Sequence, residues 1–346
     1  MAHTSQPLNI AVIGAGFISD YHVNGINAAG GAHITTIVGR NRERTLARAE
    51  ALGIPNIATN YHEVLADDAI DAVVIVTPDA AHKEMAIDAL RAGKPVLLQK
   101  PMAMNSSECR EIMDAAEQSG CKLTVSFMHR YFPEITWLKQ VLAGQTYGPV
   151  HFVRIRNATP GADWGDWFYN PANVAGGVVM QLGVHGIDLL QHVFGPITSV
   201  QALSTTMNPK RHLADGRIID VELEDNTLAQ YQFAAGFNAS HEMSFTEVAG
   251  CDRFRLEVYF EKATAWLRTK DGAAQVSVDA AIGEPGWQNV ELPDDPLGRE
   301  HHAHWLDIVR GNAPVDDTSG AGLSTHLIGE AIYAAAQQRK TIDVGG

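Results

Sequence analysis

Residues 8–13 read as a buried strand, and they run directly into Gly14-Ala15-Gly16-Phe17-Ile18-Ser19 and a helical segment beyond. No other local pattern constrains the fold as strongly. A strand that turns through glycines into a helix opens a β-α-β crossover, and such crossovers build parallel sheets. The glycines also let the backbone approach a pyrophosphate at the helix N-terminus, so the run is a G-x-G-x-x-S variant of the dinucleotide fingerprint. Gly14, Gly16, Phe17 and Ile18 are the candidate cofactor contacts. Glycine pairs after strands also form ordinary tight turns, so the reading needs support from elsewhere in the chain.

The residues that follow supply it. β-branched runs at 34–38, 72–76 and 96–98 read as strands, while 42–52, 80–92 and 107–119 read as helices. Asn105 and Ser106, followed by Glu108, form an N-terminal cap, and Gly53, Gly93 and Gly120 sit where helices should stop. A strand at 122–126 closes a doubly wound first domain predicted at residues 1–128. Lys100 ends the apolar run Leu97-Leu98-Gln99 and precedes Pro101. Proline restricts the backbone there, and the lysine amine then leaves the carboxyl edge of the sheet, where such folds bind ligands.

Beyond Met128-His129-Arg130 the texture changes to alternating strands at 150–156, 226–233, 254–260 and 263–268. One helix is expected near 184–193 and two terminal ones near 301–310 and 322–339. Residues 129–346 therefore read as an α+β domain with a mostly antiparallel sheet. At 346 residues, 45% of them hydrophobic, the chain has enough material for two such cores.

Several function classes are excluded by composition. A formal charge of −14 argues against nucleic acid or an anionic membrane as partner. No run approaches the roughly 18–20 apolar residues that span a bilayer, and residues 1–7 lack the basic start and apolar core of a signal peptide, so a cytoplasmic protein is expected. Cys109, Cys121 and Cys251 are widely spaced, which suggests neither a disulfide framework nor a zinc knuckle. His301, His302 and His304 form a cluster without companion carboxylates; they read as a solvated or inter-subunit helix start, and no metal is expected.

The second strand bears on the cofactor. An NAD site usually carries an acid about 20 residues beyond the glycines to bind the adenosine ribose. Here the strand ends Ile37-Val38-Gly39-Arg40, without a carboxylate; Gly39 leaves room for a 2′-phosphate and Arg40 offers it a planar fork. NADP is the first choice and NAD the alternative, which a merely surface-exposed Arg40 would favour.

Taken in order, the segment Ala11 to Ile18, Val76-Thr77-Pro78 with His82, Gln99-Lys100-Pro101, His129-Arg130-Tyr131-Phe132-Pro133 and the block from Trp167 to Asp188 resemble one family across nearly the whole chain. That family comprises the glucose-fructose oxidoreductases, inositol dehydrogenases and rhizopine-catabolism proteins (Gfo/Idh/MocA), which are NAD(P)-dependent sugar and polyol oxidoreductases. The resemblance implies an α/β fold: a Rossmann domain, then an α+β domain whose large, mostly antiparallel sheet has an open face. It implies that Thr77, Pro78, His82, Gln99 and Lys100 approach the cofactor and that Lys100 and His185 are catalytic. Gln181, Asp188, Trp167 and Arg130 would bind a sugar, inositol or related polyol, and a homodimer or homotetramer is expected. Trp164, Trp167, Phe168 and Tyr169 crowd one loop, where they suit either stacking on a sugar ring or burial beneath the loop.

Two positions depart from the family pattern. Gln181 stands where an aspartate usually precedes the histidine by four residues, and Gln99 where a glutamate usually precedes the lysine. A glutamine orients a hydroxyl but takes no proton, so acid–base work shifts to Lys100 and His185, with Asp188 on the histidine's helix face. The same departures keep open a cofactor-binding regulator of this fold without catalytic activity.

Overall fold

A computed structural model describes residues 6–248, 254–269 and 272–344. Cys251 lies outside them. The described chain forms two units, one of residues 1–131 and 295–323, the other of residues 132–294 and 324–346. The expected division at 128/129 therefore falls three residues early, and a C-terminal segment returns to the first unit.

The first unit alternates strand and helix as the sequence predicts: β1 (Leu8–Ile13), α1 (Ser19–Ala29), β2 (Ala32–Val38), α2 (Arg42–Leu52), β3 (Asn56–Ala58), α3 (Tyr61–Leu65), β4 (Ala72–Ile75), α4 (His82–Arg91), β5 (Val96–Gln99), α5 (Ser106–Ser119) and β6 (Leu123–Ser126). All strands pair in parallel in the order β3-β2-β1-β4-β5-β6. That order reverses between β1 and β4, the switch point at which doubly wound sheets bind ligands. β4, β5 and β6 are buried along their whole length, as strands covered on both faces must be. Asparagines 41, 60 and 105 cap α2, α3 and α5 by accepting backbone N–H groups of Arg44, His62 and Glu108. Gly53 and Gly120 end α2 and α5 in the left-handed conformation. The expected helix at 80–92 begins instead as a short 3₁₀ turn, Asp79–Ala81, before α4.

The second unit opens with α6 (Pro133–Ala143) and β7 (Val150–Ala158). A 3₁₀ turn (Asp166–Tyr169) and a π turn (Val179–Gly183) then lead into α7 (Val184–Phe194). Next come β8 (Ile197–Thr205), β9 (Lys210–His212), β10 (Ile218–Asp220), β11 (Asn226–Phe233), β12 (Asn238–Ser244), β13 (Phe254–Phe260), β14 (Ala263–Thr269), β15 (Gly272–Val278) and β16 (Trp287–Asn289). After them lie α8 (Arg299–Arg310), α9 (Thr318–Gln338) and β17 (Ile342–Asp343), the division between units falling within α9. Nine strands form one sheet, ordered β16-β15-β14-β13-β7-β12-β11-β8-β17, antiparallel except where β7 meets β12. Burial alternates strictly along β11, so one sheet face supports the core that α6 and α7 cover. The other face exposes Leu203 and Leu228, which are directly opposed across β8 and β11.

α8 belongs to the first unit. Its Trp305 and Leu306 are buried in one cluster with Ile10 and Val12 of β1 and Ile26 of α1. His301 and His302 are buried as well, at 1% and 0% exposure, which corrects the expectation of a solvated helix start. The amphipathic spacing of α8 places both on the face that also carries Trp305.

Candidate active site

Three adjacent strands of the first unit deliver Gly14, Thr77 and Lys100 to the carboxyl edge of the parallel sheet, just past the ends of β1, β4 and β5. Gly14 has φ +123°, and a Cβ there would stand 2.6 Å from the carbonyl oxygen of Val76, so only glycine allows this turn. Gly16 has open space where its side chain would be. Ser19 replaces the third glycine of the usual fingerprint; it is fully buried and its hydroxyl donates to the Gly16 carbonyl at 2.6 Å. Unlike α2, α3 and α5, α1 starts without a side-chain cap, which leaves a glycine-lined helix N-terminus suited to a pyrophosphate. Phe17 is half exposed beside it. The Thr77 hydroxyl is buried just past the end of β4 and has no hydrogen-bond partner among the described residues. Together these features fit a dinucleotide.

Other expected cofactor residues are placed differently. His82 is completely buried, and its ring nitrogens lie 2.9 Å from the carbonyl oxygens of Pro101 and Thr77. It ties the ends of β4 and β5 together, so it positions that edge rather than reaching a ligand. Gln99 also faces inward: its Oε1 accepts the Lys100 backbone N–H at 2.8 Å, and its Nε2 lies 3.3 Å from His22 Nε2. Lys100 itself is half-buried, joined to Pro101 by a cis peptide bond. Arg40 is exposed just past the end of β2. The space beside it is not open, however. A Cβ on Gly39 would overlap Thr45 Oγ1 and meet Ala15 Cβ at 3.1 Å, so Gly39 serves packing rather than leaving room for a phosphate.

Arg130 lies in the first unit's last 3₁₀ turn, Met128–Tyr131, and is buried. Its guanidinium pairs with Asp317 at 2.6 Å and lies over the Phe127 ring, contacts that account for the residue without a substrate.

The second unit gathers its expected residues at the start of α7. Gln181 lies in the π turn, and His185 and Asp188 follow on the helix, all three buried. Gly186 lets this helix approach the sheet, because a Cβ there would overlap Asn157 of β7 and His241 of β12. Behind it, the Tyr231 hydroxyl, the His241 ring and the Asn157 side chain make a buried hydrogen-bonded row, with contacts of 3.0 and 2.8 Å. Burial lowers His241 to about 3, so its ring is neutral at ordinary pH.

Glu224 anchors the π turn. Three successive N–H groups point to it: Gly177 to Oε2 at 3.1 Å, Val178 to its main-chain oxygen at 2.9 Å, and Val179 to Oε1 at 3.1 Å. The Tyr333 hydroxyl donates to Oε1 at 2.9 Å. Burial raises the Glu224 carboxyl above its ordinary range against the opposing pull of these donors. Neither Glu224 nor His22 stands out as a functional residue in sequence. His22 is legible in retrospect, since it shares a helical spacing with buried Ser19, Val23 and Ile26. Glu224 sits in a short loop before β11 and is brought to the π turn only by tertiary structure.

In the aromatic loop, Tyr169 is buried, its hydroxyl bonded to both the N–H and the C=O of Ala162. Phe168 packs edge-on to Tyr169 and against Phe245, while Trp164 stays exposed and Trp167 half-buried, 5.3 Å apart. The loop's inner residues thus bury themselves, while the two tryptophans pack on one another nearer the surface. Among the described residues no group of histidine, cysteine and acidic side chains is placed to hold a metal, and no helix is long and apolar enough to cross a membrane. Cys109 is buried and Cys121 half-buried, and neither forms a disulfide.

Residues 8–127 match the family model of an oxidoreductase family with an NAD-binding Rossmann fold, and residues 135–266 match the GFO/IDH/MocA C-terminal domain. The chain is similar to 1,5-anhydro-D-fructose reductase of Ensifer adhaerens, 28% identical over 341 residues that cover 96% of this chain and 97% of that protein. It is also 28% identical over 304 residues to scyllo-inositol 2-dehydrogenase (NAD(+)) of Bacillus subtilis strain 168, covering 86% and 83% of the two. Among solved structures, levoglucosan dehydrogenase in complex with NADH and levoglucosan superposes with a TM-score of 0.88 at 21% identity, over 99% of this chain and 100% of that one. At that identity the likeness is one of fold.

Proposed function

The chain belongs to the GFO/IDH/MocA family of oxidoreductases, and from that premise we propose that it interconverts a secondary alcohol and a ketone on a sugar, inositol or related cyclic polyol. The observation that carries the reading is the carboxyl edge of the first unit's sheet, where adjacent strands end in the Gly14 turn, Thr77 and Lys100. Gly14, Gly16, Phe17 and Ile18 would hold the pyrophosphate end of a nicotinamide dinucleotide, and Thr77 and Pro78 would meet it further along. When bound, that group supplies the hydride acceptor or donor. NADP is preferred on the strength of exposed Arg40 and the missing carboxylate at the tip of β2, with NAD the alternative.

Lys100 handles the proton. In oxidation its amine takes the hydroxyl proton as the carbonyl forms; in reduction its ammonium returns a proton to the alkoxide. His185 and Gln181 hold and orient substrate hydroxyls, since Gln181 both donates and accepts but carries no proton in exchange. Asp188 shares the buried face of α7 with His185, and Trp167 offers an aromatic face to the ring. Relatives named for an anhydrosugar and an inositol support the cyclic polyol class.

The test is turnover of NADP⁺ and NAD⁺ by purified protein across a panel of sugars, anhydrosugars and inositols. Reduction of either cofactor with one of these supports the reading. Cofactor binding without turnover on any of them would instead favour a regulator.

A further inference from the structure

Behind Lys100, three buried side chains of the first unit lie in one line of hydrogen bonds. The Lys100 N–H donates to Gln99 Oε1 at 2.8 Å, and Gln99 Nε2 lies 3.3 Å from His22 Nε2. His22 Nδ1 lies 2.9 Å from His302 Nε2, and His302 Nδ1 lies 2.6 Å from the carbonyl oxygen of Gly298. Both ends of the line are backbone groups with fixed roles, because an amide N–H only donates and a carbonyl only accepts. From the Lys100 end, Gln99 must present its oxygen to the N–H and therefore its NH₂ to His22. From the Gly298 end, His302 carries its proton on Nδ1, so its Nε2 accepts from His22 Nδ1–H. That leaves His22 Nε2 as the acceptor for Gln99. The two lines of reasoning meet with a donor facing an acceptor at every link and with both imidazoles neutral.

The surroundings favour that state. His22 and His302 are fully buried, and desolvation holds His22 well below its ordinary range and His302 at about 4. The groups that face them are the Tyr21 ring and the neutral His301, with Asp295 acting on Tyr21 from a distance. Space is matched too. A Cβ on Gly25 would overlap the His302 ring, so glycine in α1 is what admits this histidine from α8.

We propose that Gln99, His22 and His302 are positioning residues for Lys100, forming a one-way, proton-neutral chain that fixes the lysine backbone from inside the first unit. The functional weight of that chain rests on the reading of Lys100 given above. It also explains the residue type at 99. A glutamate there would still accept the Lys100 N–H, but its second oxygen would face a lone pair on His22 Nε2. That contact would then need one more proton, held either on His22 Nε2, making an imidazolium paired with the carboxylate, or on the glutamate oxygen, making a neutral acid that donates to Nε2. Glutamine achieves the same connectivity without that extra proton.

Nitrogen NMR of the imidazoles in the full-length protein tests the chain without reference to activity. At neutral pH, His22 and His302 should both be protonated on Nδ1 and bare on Nε2, and Gln99→Glu should add one proton to the link, seen as an imidazolium His22 or as a His22 still bare on Nε2 against a protonated carboxyl, while His302 stays neutral. A proton on His22 Nε2 in the native protein, a proton on His302 Nε2 in either protein, or a neutral His22 carrying its proton on Nε2 in Gln99→Glu overturns the chain. Gln99→Met keeps the side-chain length and ends both links; kcat should fall about 10- to 100-fold with KM unchanged, as expected for a reacting group moved by a fraction of an ångström to an ångström. An unchanged kcat overturns the positioning role. A fully active Lys100→Ala would instead sink the reading of the lysine while leaving the tautomers standing.

Discussion

The turn that bears Lys100 and the turn that leads to His185 are secured by contrasting chemistry. Behind Lys100 lie neutral side chains, Gln99 and His22, that engage a single backbone N–H. At the π turn a carboxylate, Glu224, together with its own main-chain oxygen collects three successive N–H groups of the segment that precedes the histidine. The first device sets one residue's backbone with uncharged side chains. The second gathers three orphan donors of a helix start, the role that a capping side chain plays elsewhere, and it does so with a buried carboxyl. Perturbing the first should therefore change rate, and perturbing the second should change stability and substrate binding together.

The largest effect expected is on the lysine itself. Lys100→Ala should reduce kcat by about 10²- to 10⁴-fold while dinucleotide affinity, followed by fluorescence titration, holds. His185→Ala should lose less in kcat and more in KM if the histidine holds substrate; equal losses of kcat in both variants would erase the contrast.

Next comes the anchor. Glu224→Gln places an NH₂ group opposite a buried N–H or the Tyr333 hydroxyl, which should cost about 1–3 kcal/mol in denaturant-monitored stability. The pH dependence has a definite sign. Because the folded carboxyl titrates above its unfolded value of 4.5, the native state retains a proton that the unfolded chain has released, so this group's contribution falls as pH rises from the unfolded value through the folded one. The variant lacks that decline. The stability gap between native protein and variant should thus be widest below the unfolded value and narrow above the folded one; a gap that widens with pH would contradict the assignment.

A smaller change is expected at the cofactor's far end. Arg40→Ala should weaken NADP(H) binding about 10-fold, the value of one charge-assisted hydrogen bond, and leave NAD(H) binding nearly unchanged. Equal weakening of both would mean that the arginine covers the adenine without reading a phosphate. Smallest of all, Gln181→Asp should alter the pH profile of kcat/KM with little gain in maximal rate, because Lys100 and His185 already carry the proton work in the proposed mechanism. A large gain on a common polyol would mark Gln181 as an impairment.

The parallel sheet of the first unit is legible because each element carries its own signal: buried β-branched strands, asparagine caps and glycine stops, all readable within a dozen residues. Much of the second unit is less so. β12, Asn238–Ser244, interleaves polar and apolar residues, and its parallel pairing with β7 joins segments far apart in the chain, which no local pattern announces. The site divides in the same way. Gly14, Lys100 and His185 sit in recognisable motifs, whereas Glu224 and the His22–His302 contact exist only because distant segments meet. The motifs mark His82 and Gln99 but not the direction of their side chains, which turn inward to backbone and histidine partners.

The return of α8 to the first unit sets an order on how the protein can be made. Residues 1–131 emerge first from the ribosome, and they contain every strand of the parallel sheet and the glycine-rich turn. They lack Trp305 and Leu306, which complete the cluster under β1 and α1, and they lack His302, which closes over Gly25. At about 5–20 residues per second, synthesis of the intervening chain takes on the order of ten seconds or more, during which that apolar surface has no native cover. A nascent chain arrested before α8 should therefore be a good client for chaperones that recognise exposed hydrophobic surface. All of the first unit's residues have been synthesised only once the chain has passed residue 323, not residue 131.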